Sequence, residues 1–213
     1  DLKVVINGAG AAGSANSDLL LTMNFSGEET RSVKEIIICD SKGPLYESRP
    51  DVSENPAKLR LARKTNRNNV QGSLKDAMTD ADVFIGVSVA DVVTPDMIQA
   101  MSKNAIVFAM ANPTPEIMPD LAKQAGAFIV GTGRSDFANQ VNNVLAFPGI
   151  FRGALDARAT QFSHDMKLEA AFALAESVTD LDVEHILPQV LDKKVPYMIA
   201  ERVKEIYLKS TSA

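Results

Sequence analysis

The sequence predicts an α/β fold built on a doubly wound parallel sheet, with additional helices at its C-terminal end. Three observations point there. Short apolar runs alternate with helix-like stretches along most of the chain, which is the rhythm of βαβ units. Those runs are apolar at nearly every position, as strands covered on both faces require. A glycine-rich turn follows the first run and opens the first helix-like stretch.

Strands are expected over residues 3–7, 35–40, 82–88, 105–109 and 127–131, and helices over 11–23, 55–67, 73–79, 94–102 and 119–124. Thr94 offers a cap and Pro95 suits a first turn, while Gly126 suits a C-terminal stop. Residues 24–34 are polar and read as an inserted loop; residues 44–55 carry Pro44 and Pro50 and read as a surface loop. From Ser163 the strands cease. Residues 163–178 form an Ala-rich amphipathic pattern, 195–208 a second helix, and 210–213 a frayed end. The expected organisation is an α/β domain over 1–160 and C-terminal helices over 161–213, packing on it or on an upstream domain.

Composition excludes several classes. Lys and Arg number 22 against 27 Asp and Glu, for a net charge of −5, and the pI is near 5.1. Such a chain is a poor partner for nucleic acid, whose phosphates need clustered cations. A hydrophobic content of 46% excludes whole-chain disorder. The single cysteine, Cys39, can form neither an internal disulfide nor a cysteine-based zinc site. It fits a reducing compartment and a cytoplasmic location. No apolar run approaches the ~20 residues of a membrane span, and the start lacks a signal-peptide pattern. The chain opens at Asp1 and enters a β-rich run at Leu2, so substantial upstream sequence is expected.

Gly8-Ala9-Gly10-Ala11-Ala12-Gly13 is a G-x-G-x-x-G segment placed directly after a strand and at the start of a helix. In that context Gly8 permits the tight turn, Gly10 the approach of a pyrophosphate, and Gly13 close helix–strand packing. The N-terminus of the helix, with Ala11 and Ala12, supplies free N–H groups to phosphate. The fold expected is therefore Rossmann-like. Asp40 closes the second strand and can accept hydrogen bonds from a ribose, although it lies beyond the usual ~20-residue interval. Asp40 favours NAD, whereas Ser41, Lys42 and the nearby Lys58, Arg60, Arg63, Lys64 and Arg67 could meet the 2′-phosphate of NADP.

Ligands in open α/β sheets sit beyond the carboxyl ends of strands. The fourth strand ends in Asn112-Pro113-Thr114-Pro115-Glu116, and the fifth leads to Gly133-Arg134-Ser135-Asp136 and Gln140-Val141-Asn142-Asn143. Asparagine offers donor and acceptor without charge. The glycine loop 8–13, Asp40-Ser41-Lys42-Gly43, residues 111–116 and above all Gly133-Arg134-Ser135-Asp136 with residues 140–156 resemble the NAD(P)-binding domain of bacterial-type malic enzymes over nearly the whole chain, and Asn142-Asn143-Val144-Leu145-Ala146-Phe147-Pro148-Gly149 is far more specific than the glycine loop. Phe137-Ala138-Asn139 departs from the family's aromatic-Pro-Asn.

The resemblance implies oxidative decarboxylation of malate to pyruvate and CO2, with hydride transfer to NAD or NADP and a divalent Mg²⁺ or Mn²⁺ as Lewis acid. It implies that Asn112 meets the nicotinamide ribose or substrate, that Asn142 or Asn143 meets malate, and that Ser88 and Val89 line the dinucleotide groove. The family's base, acid and metal ligands lie upstream of the glycine loop, so no catalytic or metal-binding residue is assigned here and the isolated chain is expected to be inactive. It also implies dimers or tetramers. Two rivals are the cofactor domain of an amino-acid or methylenetetrahydrofolate dehydrogenase and a non-enzymatic nucleotide-sensing domain; neither needs the asparagine segments. His164 and His185 are read as surface or capping residues, Asp136 as ordering its loop through backbone N–H groups, Cys39 as a buried small hydrophobe, and Met97, Met101, Met110 and Met118 as core.

Overall fold

Successive residues of the first strand feed two different cores. The computed structural model describes residues 2–22 and 33–211. Six strands form one sheet: β1 (Leu2–Asn7), β2 (Val33–Asp40), β3 (Gly43–Pro44), β4 (Val83–Gly86), β5 (Ile106–Ala109) and β6 (Ile129–Thr132). Their order is β3-β2-β1-β4-β5-β6. The five longer strands run parallel, and β3 pairs antiparallel to β2 at the edge. This is the expected α/β class with a reversed edge ribbon added. The strand order reverses direction at β1, where a ligand crevice opens in such sheets.

Val5, Ile37, Phe84, Val107 and Val130 point to one face and meet Ala77, Met78, Ile98 and Ala122. Those partners come from α4 (Leu74–Met78), α5 (Pro95–Gln99) and α6 (Pro119–Gln124). Val4, Ile6, Ile36 and Ile38 point to the other face and meet Leu20, Leu21, Val52, Leu61 and Ala62. Those come from α1 (Ala11–Thr22), α2 (Pro50–Ser53) and α3 (Pro56–Lys64). Period-two alternation between two covered faces explains why the strands are apolar throughout. Each such residue, fully buried, contributes roughly 1.5–3 kcal/mol.

The helix starts follow local chemistry. Asn55 Oδ1 accepts from the N–H groups of Ala57 and Lys58 at 3.1 Å, and Pro56 follows it. Ser73 and Asp76 form a capping box at α4. Thr94 precedes Pro95 as expected, but its hydroxyl bonds the Asp96 carboxylate and makes no cap bond to backbone. Gly126 adopts φ +109° after α6 and ends it.

Residues 44–55 do not form the surface loop that their polarity suggests. They contain the end of β3 and all of α2, and Leu45, Arg49 and Val52 are buried. The polar residues satisfy one another beneath the sheet edge, which permits that burial. Of the proposed 24–34 insertion, residues 24–32 lie outside the described residues, and Val33 and Lys34 belong to β2. Met101 is buried, while Met97, Met110 and Met118 are only half-buried; Met78 and Met166 fill core positions instead.

The chain divides into two compact units, Asp1–Phe137 and Ala138–Ala213. The second contains a 3₁₀ turn, Asn143–Leu145, then α7 (Phe147–Asp156), α8 (His164–Glu176) and α9 (Lys194–Thr211). Ala154, Met166, Ala170, Ala173, Val195, Ile199 and Val203 form its core. Ser163 caps α8 by accepting from Met166 N–H at 3.2 Å, so His164 stands at the first position of a helix, as expected. The expected elements leave out residues 147–156, where Pro148, Gly149 and Gly153 depress helix propensity. Packing overrides it: a Cβ on Gly149 would stand 2.6 Å from Ile199 Cβ, and one on Gly153 2.4 Å from the Ala200 carbonyl oxygen. Those two glycines let α7 press against α9.

Candidate functional site

In the first unit a cleft of about 580 Å³ opens beyond the carboxyl ends of β1, β2 and β4. Its floor is the glycine turn. Gly8 N–H donates to the Cys39 carbonyl at 2.9 Å, and Val87 N–H donates to the Asn7 carbonyl at 2.9 Å. Gly8 has φ +131°, and a Cβ there would lie 2.5 Å from the Val87 carbonyl oxygen. A Cβ on Gly13 would stand 1.8 Å from the Gly8 carbonyl oxygen. Gly10 differs: a Cβ there would meet nothing within 4 Å. The protein gives no reason for glycine at position 10, and a ligand approaching its backbone would. No acidic side chain occupies the first turn of α1, so its N-terminal N–H groups and partial positive charge are available to phosphate.

Asp40 enters the wall as part of a charged network. Its Oδ2 accepts from Arg49 Nη2 and from Lys58 Nζ, the latter at 2.6 Å, and its Oδ1 accepts from Lys42 N–H at 2.9 Å. Burial pushes the carboxyl up, but hydrogen bonds from Arg49 and Lys58 outweigh it and hold the pKa at about 2. The side chain of Arg49, 8% exposed, also donates to the carbonyls of Gly43 and Pro44 at 3.0 Å and to Asp51 at 3.0 Å. Lys42 pairs with Asp51 at 3.1 Å. Of the other cations weighed for a 2′-phosphate, Arg60 and Lys64 pair with Asp18, and Arg63 with Glu47.

Gly8, Asp40, Ser41, Lys42, Ser88 and Val89 all line this cleft. Gly10, Ala11 and Ala12 are exposed beside it, and Gly13 is buried under the turn. Asn112 is exposed past the end of β5, outside the cleft lining, and its peptide bond to Pro113 is cis. Asn142 and Asn143 belong to the second unit. Asn142 Oδ1 accepts from Val144 N–H at 3.0 Å and caps the 3₁₀ turn, while Asn143 is exposed. Asp136 binds the Arg134 side chain through both oxygens, at 2.9 and 2.6 Å, so its loop is ordered by a guanidinium fork where backbone N–H groups were expected. Cys39 is buried, and burial pushes its thiol up to about 12.

Three polar residues escaped the sequence reading. Asn7, 7% exposed, lines the cleft and donates to Ser88 Oγ at 2.8 Å. Arg49 lay hidden in a stretch read as loop. Glu116 is fully buried and bonds the loops after β4 and β5. The available signals were a lone acid leading into the apolar Ile117-Met118, and a glycine, Gly86, ending a strand opposite it.

Residues 1–207 match the family model described as malic enzyme, NAD binding domain. The chain is 53% identical to the bifunctional malic/malolactic enzyme of Bacillus subtilis (strain 168), covering 95% of this chain and 48% of that protein. It is 47% identical to the NADP-dependent malic enzyme of Rhizobium meliloti (strain 1021), covering 81% of this chain and 21% of that protein. The crystal structure of the NAD-dependent malic enzyme from Thermotoga maritima superposes with a TM-score of 0.88 at 44% identity, covering 96% of this chain and 52% of that one. The chain thus spans about half or less of the relatives it matches. These matches support the resemblance read from the asparagine segments and neither of its rivals. The glycine turn, the acid at the end of β2 and the match over 1–207 together make this chain a member of the malic enzyme NAD-binding domain family.

Proposed function

We propose that this chain is the cofactor-binding portion of a malic enzyme that oxidatively decarboxylates malate to pyruvate and CO2. The observation that carries the reading is Gly10: an open approach to its backbone lies beside the N-terminus of α1, next to the cleft that Asp40 enters. That combination fits a dinucleotide, with pyrophosphate over 8–13 and adenosine ribose toward Asp40. NAD or NADP held there would supply the hydride acceptor for C2 of malate.

The chain's own residues then have defined tasks. Gly8, Gly10, Ala11, Ala12 and Gly13 present the backbone to pyrophosphate. Asp40, kept ionised by Arg49 and Lys58, accepts from ribose hydroxyls, with Ser41 and Lys42 at the rim. Ser88 and Val89 wall the groove. Asn112 meets the nicotinamide ribose or substrate, and Asn142 or Asn143 holds malate. The reading assigns the Mg²⁺ or Mn²⁺ of the reaction, with base and acid, to the part of the enzyme outside this chain. That part and a second copy of the enzyme, as dimer or tetramer, are the partners of this reading. No helix among the described residues is long and apolar enough to cross a membrane, and the reading places the enzyme in the cytoplasm.

The test uses the protein at its full natural length, with malate, Mn²⁺ and either NAD or NADP, following reduced-nicotinamide absorbance and pyruvate. Malate-dependent reduction is expected, and loss of it in Asn143→Ala would put that residue in the site. A folded protein that binds dinucleotide but leaves malate unchanged with either cofactor would sink the reading.

A further inference from the structure

Glu116 is an acid with no exposed surface. Its two carboxylate oxygens serve different loops. Oε1 accepts from Ser88 N–H at 2.9 Å and from Ser88 Oγ at 3.2 Å. Oε2 accepts from Ala111 N–H at 2.9 Å. Ser88 lies just beyond β4 and Ala111 just beyond β5. The backbone repeats the link: Asp91 N–H donates to the Pro115 carbonyl at 3.1 Å and Val93 N–H to the Glu116 carbonyl at 3.0 Å. Space for the carboxylate is made by Gly86, where a Cβ would stand 2.4 Å from Glu116 Cδ.

We propose that Glu116 is a positioning residue that ties the loop carrying Ser88 and Val89 to the loop carrying Asn112, and so sets the nicotinamide end of the cofactor groove. The inference rests on the dinucleotide reading of the cleft. Its chemistry is specific to a carboxylate. Three donors converge from two loops, and only a side chain with an acceptor on each side satisfies them. Glutamine has the same length but one acceptor. Its carbonyl would turn to Ser88, which brings two donors, and its NH2 would face the Ala111 N–H, donor against donor. The loop after β5 loses its anchor while the loop after β4 keeps its own.

That asymmetry separates positioning from general support. The Ser88 loop walls the cleft that also holds Asp40 and the glycine turn, whereas Asn112 lies outside that lining. ADP-ribose, which lacks nicotinamide, therefore reports the first loop, and the whole dinucleotide reports both. In the full-length protein, Glu116→Gln is expected to weaken NAD and NADP binding about tenfold while ADP-ribose binding stays within about twofold. A parallel fall for all three ligands, or no fall in any, overturns the proposal. If the unmodified protein binds neither dinucleotide nor ADP-ribose, the cofactor reading itself fails, before the variant is consulted. A second measurement does not depend on the variant folding. Hydrogen exchange of the unmodified protein is expected to show slow amides at both Ser88 and Ala111, whose N–H groups Glu116 accepts. Fast exchange at Ala111 overturns the tie.

Discussion

The two units each carry a conspicuous glycine motif, and the motifs do different work. In the first, Gly8 makes room for the Val87 carbonyl beyond β4, Gly13 makes room for the Gly8 carbonyl, and Gly10 faces open space. In the second, Gly149 and Gly153 both face a neighbouring helix: Ile199 Cβ would lie 2.6 Å from one added Cβ and the Ala200 carbonyl oxygen 2.4 Å from the other. The Phe-Pro-Gly segment marks the family more sharply than the glycine loop, yet its Gly149, with Gly153 one turn on, serves packing. A motif can identify a family through its core as well as through its ligand.

The comparison breaks most visibly at the buried glycines. Gly13→Ala drives a methyl into a carbonyl oxygen and Gly153→Ala separates α7 from α9, so both variants are expected to lose about 3 kcal/mol or more of stability. Thermal unfolding of the full-length protein should show each as a fall of roughly 6–12 °C. A Gly153→Ala protein as stable as its parent would remove the packing explanation for the second motif.

Gly10→Ala is the contrasting case. Its methyl meets nothing in the protein, so stability should stay within about 0.5 kcal/mol. Dinucleotide affinity should fall by about tenfold or more, since the methyl would occupy the approach proposed for the pyrophosphate. Titration of NAD with an unfolding control separates the two readouts. Unchanged affinity would leave Gly10 without a role in binding.

What could be read in advance follows the same division. The five parallel strands announced themselves because burial on both faces leaves continuous apolar runs, and the glycine turn because its spacing falls directly after a strand and opens a helix. Asp40 was legible as a strand-end acid. Its partner Arg49 was not, since a buried guanidinium in a polar stretch looks like a solvated one until Gly43, Pro44, Asp40 and Asp51 converge on it. Helix α7 was hidden by the very glycines that its contact with α9 requires. Asn142 was read for its chemistry, and its carbonyl oxygen turns out to cap the 3₁₀ turn. Glu116 was missed because its three donors come from loops that only the sheet brings together.

The smallest contrast lies in the two ion networks. In the second unit Arg202 binds Glu169 at 2.9 Å and Glu176 at 3.2 Å, with Glu176 59% exposed; solvent leaves such pairs worth about 0–1 kcal/mol. In the first unit Asp40 and Arg49 have side chains only 9% and 8% exposed. The folded pKa of Asp40, about 2, lies below its ordinary 3.8. A carboxyl depressed by folding stabilises the protein above its unfolded pKa, and that contribution disappears as pH falls through the folded one. The Asp40 contribution should therefore be complete above pH ~4 and gone below pH ~2, amounting to roughly 1–2 kcal/mol after solvent screening. Urea unfolding of the parent and Asp40→Asn proteins between pH 5 and pH 2 checks it, with the gap between them closing as acid is added. Arg202→Gln should leave a gap of under about 1 kcal/mol at neutral pH. An Asp40→Asn protein whose deficit persists unchanged to pH 2 would show that the network works through shape and not through charge.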